Sequence, residues 1–170
     1  MIFFNVSLDL GDFALKLDRV DARLLAALQE DGRRSIVELA EQVGLSGTPC
    51  ARRIRMLEDS GVIQGYTAVV NPERLGLNVH AFIEVKLERH TDEVIEQFRR
   101  DVAALDAVVS CHAITGEYDF MLQVIAADLN VLSNVILKKL MKIAGVRDVH
   151  SSIVLDTIKR SARVPLGHLD

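Results

Sequence analysis

Apolar positions in the first part of the chain recur at helical spacing. In Leu17 to Asp31, LDRVDARLLAALQED, the residues Leu17, Val20, Leu24, Leu25 and Leu28 line one face, and Asp18 or Asp21 complements the helix N-terminus. Ser35 and Glu38 form a capping box at the head of SIVELAEQVG, where Ile36, Leu39, Ala40 and Val43 make an apolar stripe that Gly44 closes. A third helix is predicted from Thr48-Pro49, a hydroxyl followed by a proline that sacrifices no intrahelical bond. It packs through Cys50, Ala51, Ile54 and Leu57, presents Thr48, Arg52, Arg55 and Asp59 on the opposite side with Met56 beside them, and stops at Gly61. Leu39, Val43, Leu45, Ile54 and Leu57 are the expected complement to the core of the first helix.

After Gly61 the periodicity changes. VIQGYTAVV is β-rich, broken by Gly65, and predicts a short wing or a linking strand. Asn71-Pro72 and Leu75-Gly76-Leu77 punctuate the chain at a domain boundary. HAFIEVKLE then alternates, TDEVIEQFRRDVAAL returns to helical spacing behind Thr91 or Asp92, VVSCHAIT and FMLQVIA are strands around the turn Gly116 to Asp119, LNVLSNVILKKLMKI is a helix closed by Gly145, and VRDVHSSIVLDTI is the last strand. The order β-α-β-β-α-β predicts a ferredoxin-like domain: an antiparallel four-stranded sheet with two helices on one face. The class is therefore α+β, with a helix-turn-helix (winged) domain preceding the ferredoxin-like one. The divisions are an unassigned extension at 1–16, the helical domain at 17–64, a strand linker at 65–78, the sheet domain at 79–160 and a tail at 161–170. The uncovered sheet face predicts a homodimer.

Two short helices joined by a tight turn suit an element whose second helix lies in a DNA major groove. Guanidinium groups match both phosphate oxygens and the guanine edge. The predicted contact set is Ser46, Gly47, Thr48, Arg52, Arg53, Arg55 and Met56. A net charge of −4 over 170 residues argues against indiscriminate coating of nucleic acid, since that rests on a large positive field. From Asp18 to Val70 the only cations are arginines, at 19, 23, 33, 34, 52, 53 and 55, so the positive patch is local. No apolar run approaches the ~20 residues that span a bilayer. The first residues also lack a basic start and a small-residue cleavage site, which predicts a cytoplasmic protein without membrane contact. Cys50 and Cys111 are too isolated for a disulfide framework or a zinc site and are expected as buried thiols. No catalytic triad, P-loop or dinucleotide glycine motif is evident, and neither a metal nor a cofactor is expected.

The runs LDRVDARLLAALQEDGR, LSGTPCARRIRMLEDSGVIQGYTAVVNP and TGEYDFMLQV, with the AGV turn before the final strand, resemble the Lrp/AsnC (leucine-responsive, feast/famine) transcription regulators across about Leu17 to Pro165. TPC and IQGYTAVVNP look closest to the leucine-responsive branch. The resemblance implies double-stranded DNA as partner, an amino acid effector, and dimers assembling into octamers with effector held between dimers. Carried onto this chain, the effector-binding residues are Gly116, Glu117, Tyr118, Asp119 and Phe120, with Leu129, Ser152, Ile153 and Val154 as lining. Asp119 would take the ammonium and amides near Gly116 the carboxylate, and an aliphatic amino acid such as leucine or methionine is the expected ligand. Gly116 to Asp119 is equally what an ordinary hairpin turn would contain. Two other functions share the architecture. A sirohaem-decarboxylase-like enzyme would draw on His80, His90, His112, His150 or His168, but QGYTAVVNP stands where that group's basic and histidine pattern is expected. An amino-acid-binding assembly module without DNA contact would have no use for Arg52, Arg53 and Arg55.

Overall fold

The computed structural model describes residues 17–161 and 163–169. The chain divides into two units, one built from residues up to Ala68 together with the segment from Ser161, the other from Val69–Arg160. The first unit contains α1 (Arg19–Glu30), α2 (Ile36–Val43) and α3 (Gly47–Asp59). Asp18 and Asp21 share the work at the head of α1: Asp18 accepts from the Val20 and Asp21 amides while Asp21 reaches back to the Asp18 amide. Ser35 and Glu38 form the corresponding box on α2, and Gly44 ends it in the left-handed region at φ 75°. Leu24, Ala27, Leu39, Ala40, Val43, Cys50 and Ile54 make the core, with Val20, Leu28 and Leu45 against it. Arg23 and Arg34 both donate to Gln42, one to its carbonyl and one to its side chain, which ties the end of α2 to α1.

Helix α3 starts earlier than Thr48-Pro49 predicts: Ser46 is the capping position, and its side chain makes no capping bond. Pro49 then sits inside the first turn, where its missing N–H costs nothing. No wing forms among the described residues. Residues 64–70 belong to no helix or strand and have no ladder partner among the described residues. The Tyr66 ring instead lies against Gly32, where an added Cβ would meet Tyr66 Cδ1 at 3.1 Å, and its hydroxyl donates to Glu58 at 2.9 Å. Burial, then the Glu58 carboxylate, push the Tyr66 phenol up to about 12. A β-rich composition supplies side chains suited to a strand, but a strand needs a neighbouring edge, and none is presented to this segment.

The C-terminal segment is more than a tail. Gln29 on α1 pairs with both polar groups of the Val164 backbone, accepting its N–H at 2.5 Å and donating to its carbonyl at 3.1 Å. Leu166 lines a small cavity with Arg19, Ala22, Arg23 and Ala26. Ending the chain after Ser161 should lower the stability of the helical unit by about 1 kcal/mol, since two exposed hydrogen bonds gain little beyond the cost of ordering the segment. Gln29→Ala should reproduce most of that loss, and thermal melts of the two variants and their combination measure it.

The second unit contains β1 (Val79–Leu87), α4 (Asp92–Ala103), β2 (Val108–Ala113), β3 (Phe120–Ala126), α5 and β4 (Val146–Ile153). Helix α5 comprises a π-wound stretch, Val131–Leu137, running into the α-helical Lys138–Leu140. The four strands are ordered β2-β3-β1-β4 and pair antiparallel, the arrangement expected of the split βαβ plan. Ala81, Ile83, Val85, Leu87, Phe120, Leu122 and Val124 pack with Phe98, Val102, Leu132, Ile136 and Leu140 of the two helices. Gly145, at φ 86°, lets the chain turn into β4 close to α4, because a Cβ there would stand 2.5 Å from Val94 Cγ1. The alternate residues of the strands point away from the helices and include His80, Phe82, Glu84, Ser110, His112, Met121, Gln123 and His150.

Candidate functional site

On α3, Ser46, Gly47, Thr48, Arg52, Arg55 and Met56 are exposed, while Cys50, Ile54 and Leu57 hold the other side in the core. Because Ser46 leaves the first-turn amides uncapped, the positive end of the helix is open to a phosphate. Among the described residues, Arg52 and Arg55 have no acidic partner within salt-bridge distance, and the first acidic residue of the helix is Glu58. Two uncommitted guanidiniums therefore project from this face, with Asp59 at its C-terminal end.

Arg53 departs from the expectation. Its guanidinium is 2.7 Å from Asp21 Oδ1 and 2.8 Å from Asp18 Oδ2, which turns it inward onto α1. The Asp21 side chain is only 2% exposed, whereas that of Arg53 is 28% exposed. The hydrogen bond to Asp21 is the main reason the Arg53 guanidinium is held above its usual range. The same network, led by the Asp21 amide with Arg53 behind it, holds the Asp18 carboxyl below the usual carboxylate range. Arg53 thus braces α3 against α1. It directly follows Arg52 and stands two positions before Arg55, and only the placement of Asp18 and Asp21 distinguishes it from them.

The predicted effector residues fall into two groups within one chain. The β2–β3 turn lies beside the C-terminal end of β1: Phe120 pairs with Val85, and the Asp119 amide donates to the Val85 carbonyl at 3.0 Å. Ile153 pairs with Ala81, and the Val154 amide donates to the His80 carbonyl at 2.8 Å, at the other end of the same strand. Leu129 follows the end of β3 that pairs with Val79. From His80 to Val85 the strand advances five residues, roughly 17 Å. One chain consequently does not bring Gly116–Asp119 together with Leu129 and Ser152–Val154. Phe120 is a core residue, its ring 4.6 Å from that of Phe98. Tyr118 lies on the helix-free side near His150, with ring centroids 6.2 Å apart.

Asp119 has partners for every polar group. Its Oδ2 accepts the Leu87 amide at 2.8 Å, its Oδ1 lies 2.7 Å from His90 Nε2, and its carbonyl accepts the Ile114 amide at 2.9 Å. His90, considered in the sequence only as a candidate residue of a sirohaem-decarboxylase-like enzyme, lies against this turn; nothing in its spacing marks the contact, because it crosses from the β1–α4 loop. Gly116, at φ 129°, permits the turn to close. A separate cavity of about 540 Å³ lies between α4 and β2, lined by Arg99, Val102, Ala103, Val108, Ser110, Cys111, Ala113 and Phe120, and of the predicted effector residues it takes only Phe120. Cys111, expected buried, is exposed because β2 is an edge strand; desolvation on its α4 side nonetheless holds the thiol above the usual range.

Residues 17–58 match the family model for the AsnC-type helix-turn-helix domain, and residues 80–164 match that for the Lrp/AsnC ligand binding domain. The chain belongs to the Lrp/AsnC family. The Leucine-responsive regulatory protein of Escherichia coli K12 is 40% identical over 148 residues, which cover 87% of this chain and 90% of that one. Among solved structures, a transcriptional regulator of Neisseria meningitidis in complex with L-methionine is similar at TM-score 0.86 and 42% identity, covering 90% of this chain and 99% of that one. A feast or famine regulatory protein of Mycobacterium tuberculosis complexed with L-methionine is similar at TM-score 0.77 and 32% identity, covering 87% of this chain and 98% of that one. The two matched Lrp/AsnC regions correspond to the three-helix module and the four-stranded sheet with its helices, so both halves of the architecture carry the family assignment.

Proposed function

We propose that this Lrp/AsnC chain is a sequence-specific, DNA-binding transcriptional regulator that responds to an aliphatic amino acid, with methionine or leucine as its effector. The observation that carries the DNA half is the exposed α3 face on which Arg52 and Arg55 stand without acidic partners among the described residues. The contact set is Ser46, Gly47, Thr48, Arg52, Arg55 and Met56, without Arg53. Two copies act together, so that paired reading helices meet half-sites about one DNA turn, ~34 Å, apart. The helix-free sheet face, with Phe82 and Met121 among its residues, favours a second copy as its cover. Binding of amino acid and DNA is reciprocal through the assembly. The protein performs no catalysis in this reading, and it works in the cytoplasm, where its operator lies; no helix among the described residues is long and apolar enough to cross a membrane.

The effector half rests on relatives solved with L-methionine and on the turn at Asp119. Because Gly116–Asp119 and the group Leu129, Ser152, Ile153 and Val154 lie at opposite ends of β1, a complete pocket takes the first group from one copy and the second from another, with dimers assembling to octamers. Screening the twenty amino acids by thermal melting, with light scattering to follow assembly size, tests this. A selective shift is expected for methionine, leucine or both. Asp119→Asn, which keeps an acceptor for the Leu87 amide but removes the charge, should weaken effector binding by about tenfold or more, the scale of a hydrogen bond to a charged group. Protein that binds operator DNA yet shifts with none of the twenty would leave the regulator and remove the sensor.

A further inference from the structure

The carboxylate proposed above for the effector's ammonium is occupied from within the chain. Asp119 cannot turn away, because Oδ2 is fixed by the Leu87 amide and the residue's own amide and carbonyl are bonded to Val85 and Ile114. Oδ1 is the oxygen not committed to the main chain, and His90 Nε2 stands 2.7 Å from it. The two partners differ in how firmly they are held. Asp119 lies at the base of a hairpin with its side chain 17% exposed; His90 lies in the loop between β1 and α4, is 29% exposed, and is flanked by the exposed Arg89 and Thr91. An incoming group would therefore move the imidazole and leave the carboxylate in place.

We propose that His90 is the resident occupant of the amine subsite, and that an amino acid effector binds Asp119 by displacing the imidazole from Oδ1. This rests on the reading that the Gly116–Asp119 turn receives the effector. His90 is a positioning residue in this scheme: it keeps the carboxylate satisfied in the empty protein and sets the threshold concentration at which an ammonium replaces it. A fully charged ammonium is the stronger partner for a carboxylate, which gives exchange its direction.

Calorimetric titration of the full-length protein with L-methionine and L-leucine tests the exchange, using wild type, His90→Ala and His90→Gln. Removing the competitor in His90→Ala should tighten binding by about fivefold, the value of one hydrogen bond. His90→Gln, which retains a donor, should bind like the wild type. In wild-type protein the His90 imidazole nitrogen resonances should shift on adding L-methionine, a readout that does not depend on any variant folding. Weaker or unchanged binding by His90→Ala, or an imidazole unmoved by saturating ligand, would overturn the exchange while leaving the sensor intact. Absence of heat from wild type with either amino acid and with the remaining eighteen would instead remove the sensor reading itself, and the exchange with it.

Discussion

Arg53→Met is expected to melt the helical unit more than about 10 °C below the wild type, taking ~3 kcal/mol for the loss and 4 °C or more per kcal/mol for a domain of this size. The cause lies on α1 rather than α3. Asp21 is almost fully enclosed and its carboxylate is bonded to the guanidinium at 2.7 Å; without Arg53 it becomes a buried carboxylate with only the Asp18 amide for company. Breaking a buried pair by removing one partner costs roughly 3–5 kcal/mol, and the partial exposure of Arg53 places the effect at the lower end. Asp21→Leu combined with Arg53→Met should recover much of the loss, since no charge is then left unpaired. Circular dichroism melts of the single and double variants form the cycle that measures it.

Acid should weaken the same brace. The folded Asp18 carboxyl lies below its usual range because of the Asp21 amide first and Arg53 second, so the stability it contributes is complete above the ordinary carboxylate value of ~3.9 and is lost as pH falls through the lowered folded value. Asp18→Asn should therefore be less stable than the wild type near neutral pH, and the gap should close at low pH. A gap of the same size at both extremes would mean that Asp18 acts as a neutral cap alone.

The second large effect concerns DNA. Arg52→Ala with Arg55→Ala should lower operator affinity by at least about a hundredfold while the melting temperature stays near that of the wild type, because each guanidinium contact is worth ~1–3 kcal/mol and a dimer loses both from each copy. The single variants separate the roles. An arginine that reads a base should, when lost, relax sequence preference at one position of each half-site; one that grips phosphate should weaken all sequences alike and reduce the salt slope by about 1. Titrations at several salt concentrations distinguish these, and unchanged affinity in the double variant would mean that α3 is not the reading helix. Arg53 differs, since its replacement is expected to act on binding through the stability of the helical unit.

Much of this was legible in the chain itself. The capping pair Ser35/Glu38, an acidic head on α1 at Asp18 or Asp21, the stop at Gly44 and the strand alternation from Ala81 to Leu87 depend on neighbours within one helical turn or one pleat, and local spacing reports such contacts. The runs around TPC and GEYDF carried the family as well, because they are long enough to be specific. Boundaries suffered where two local signals competed, as at Ser46 and Thr48, both able to cap.

What sequence alone determined, then, was the pattern of elements, the ferredoxin-like order and the helix expected to face DNA. Tertiary structure decided that Arg53 braces α3 against α1, that His90 crosses from its loop to Asp119, that Gln29 grips the Val164 backbone, and that the predicted effector residues of one chain stand at opposite ends of β1. Each of these depends on where side chains far apart in sequence meet: 32 residues separate Arg53 from Asp21, 29 separate His90 from Asp119, and 135 separate Gln29 from Val164. Hydrophobic periodicity records which face of an element is buried, but the partner a charged side chain finds on that face is fixed only when the elements pack.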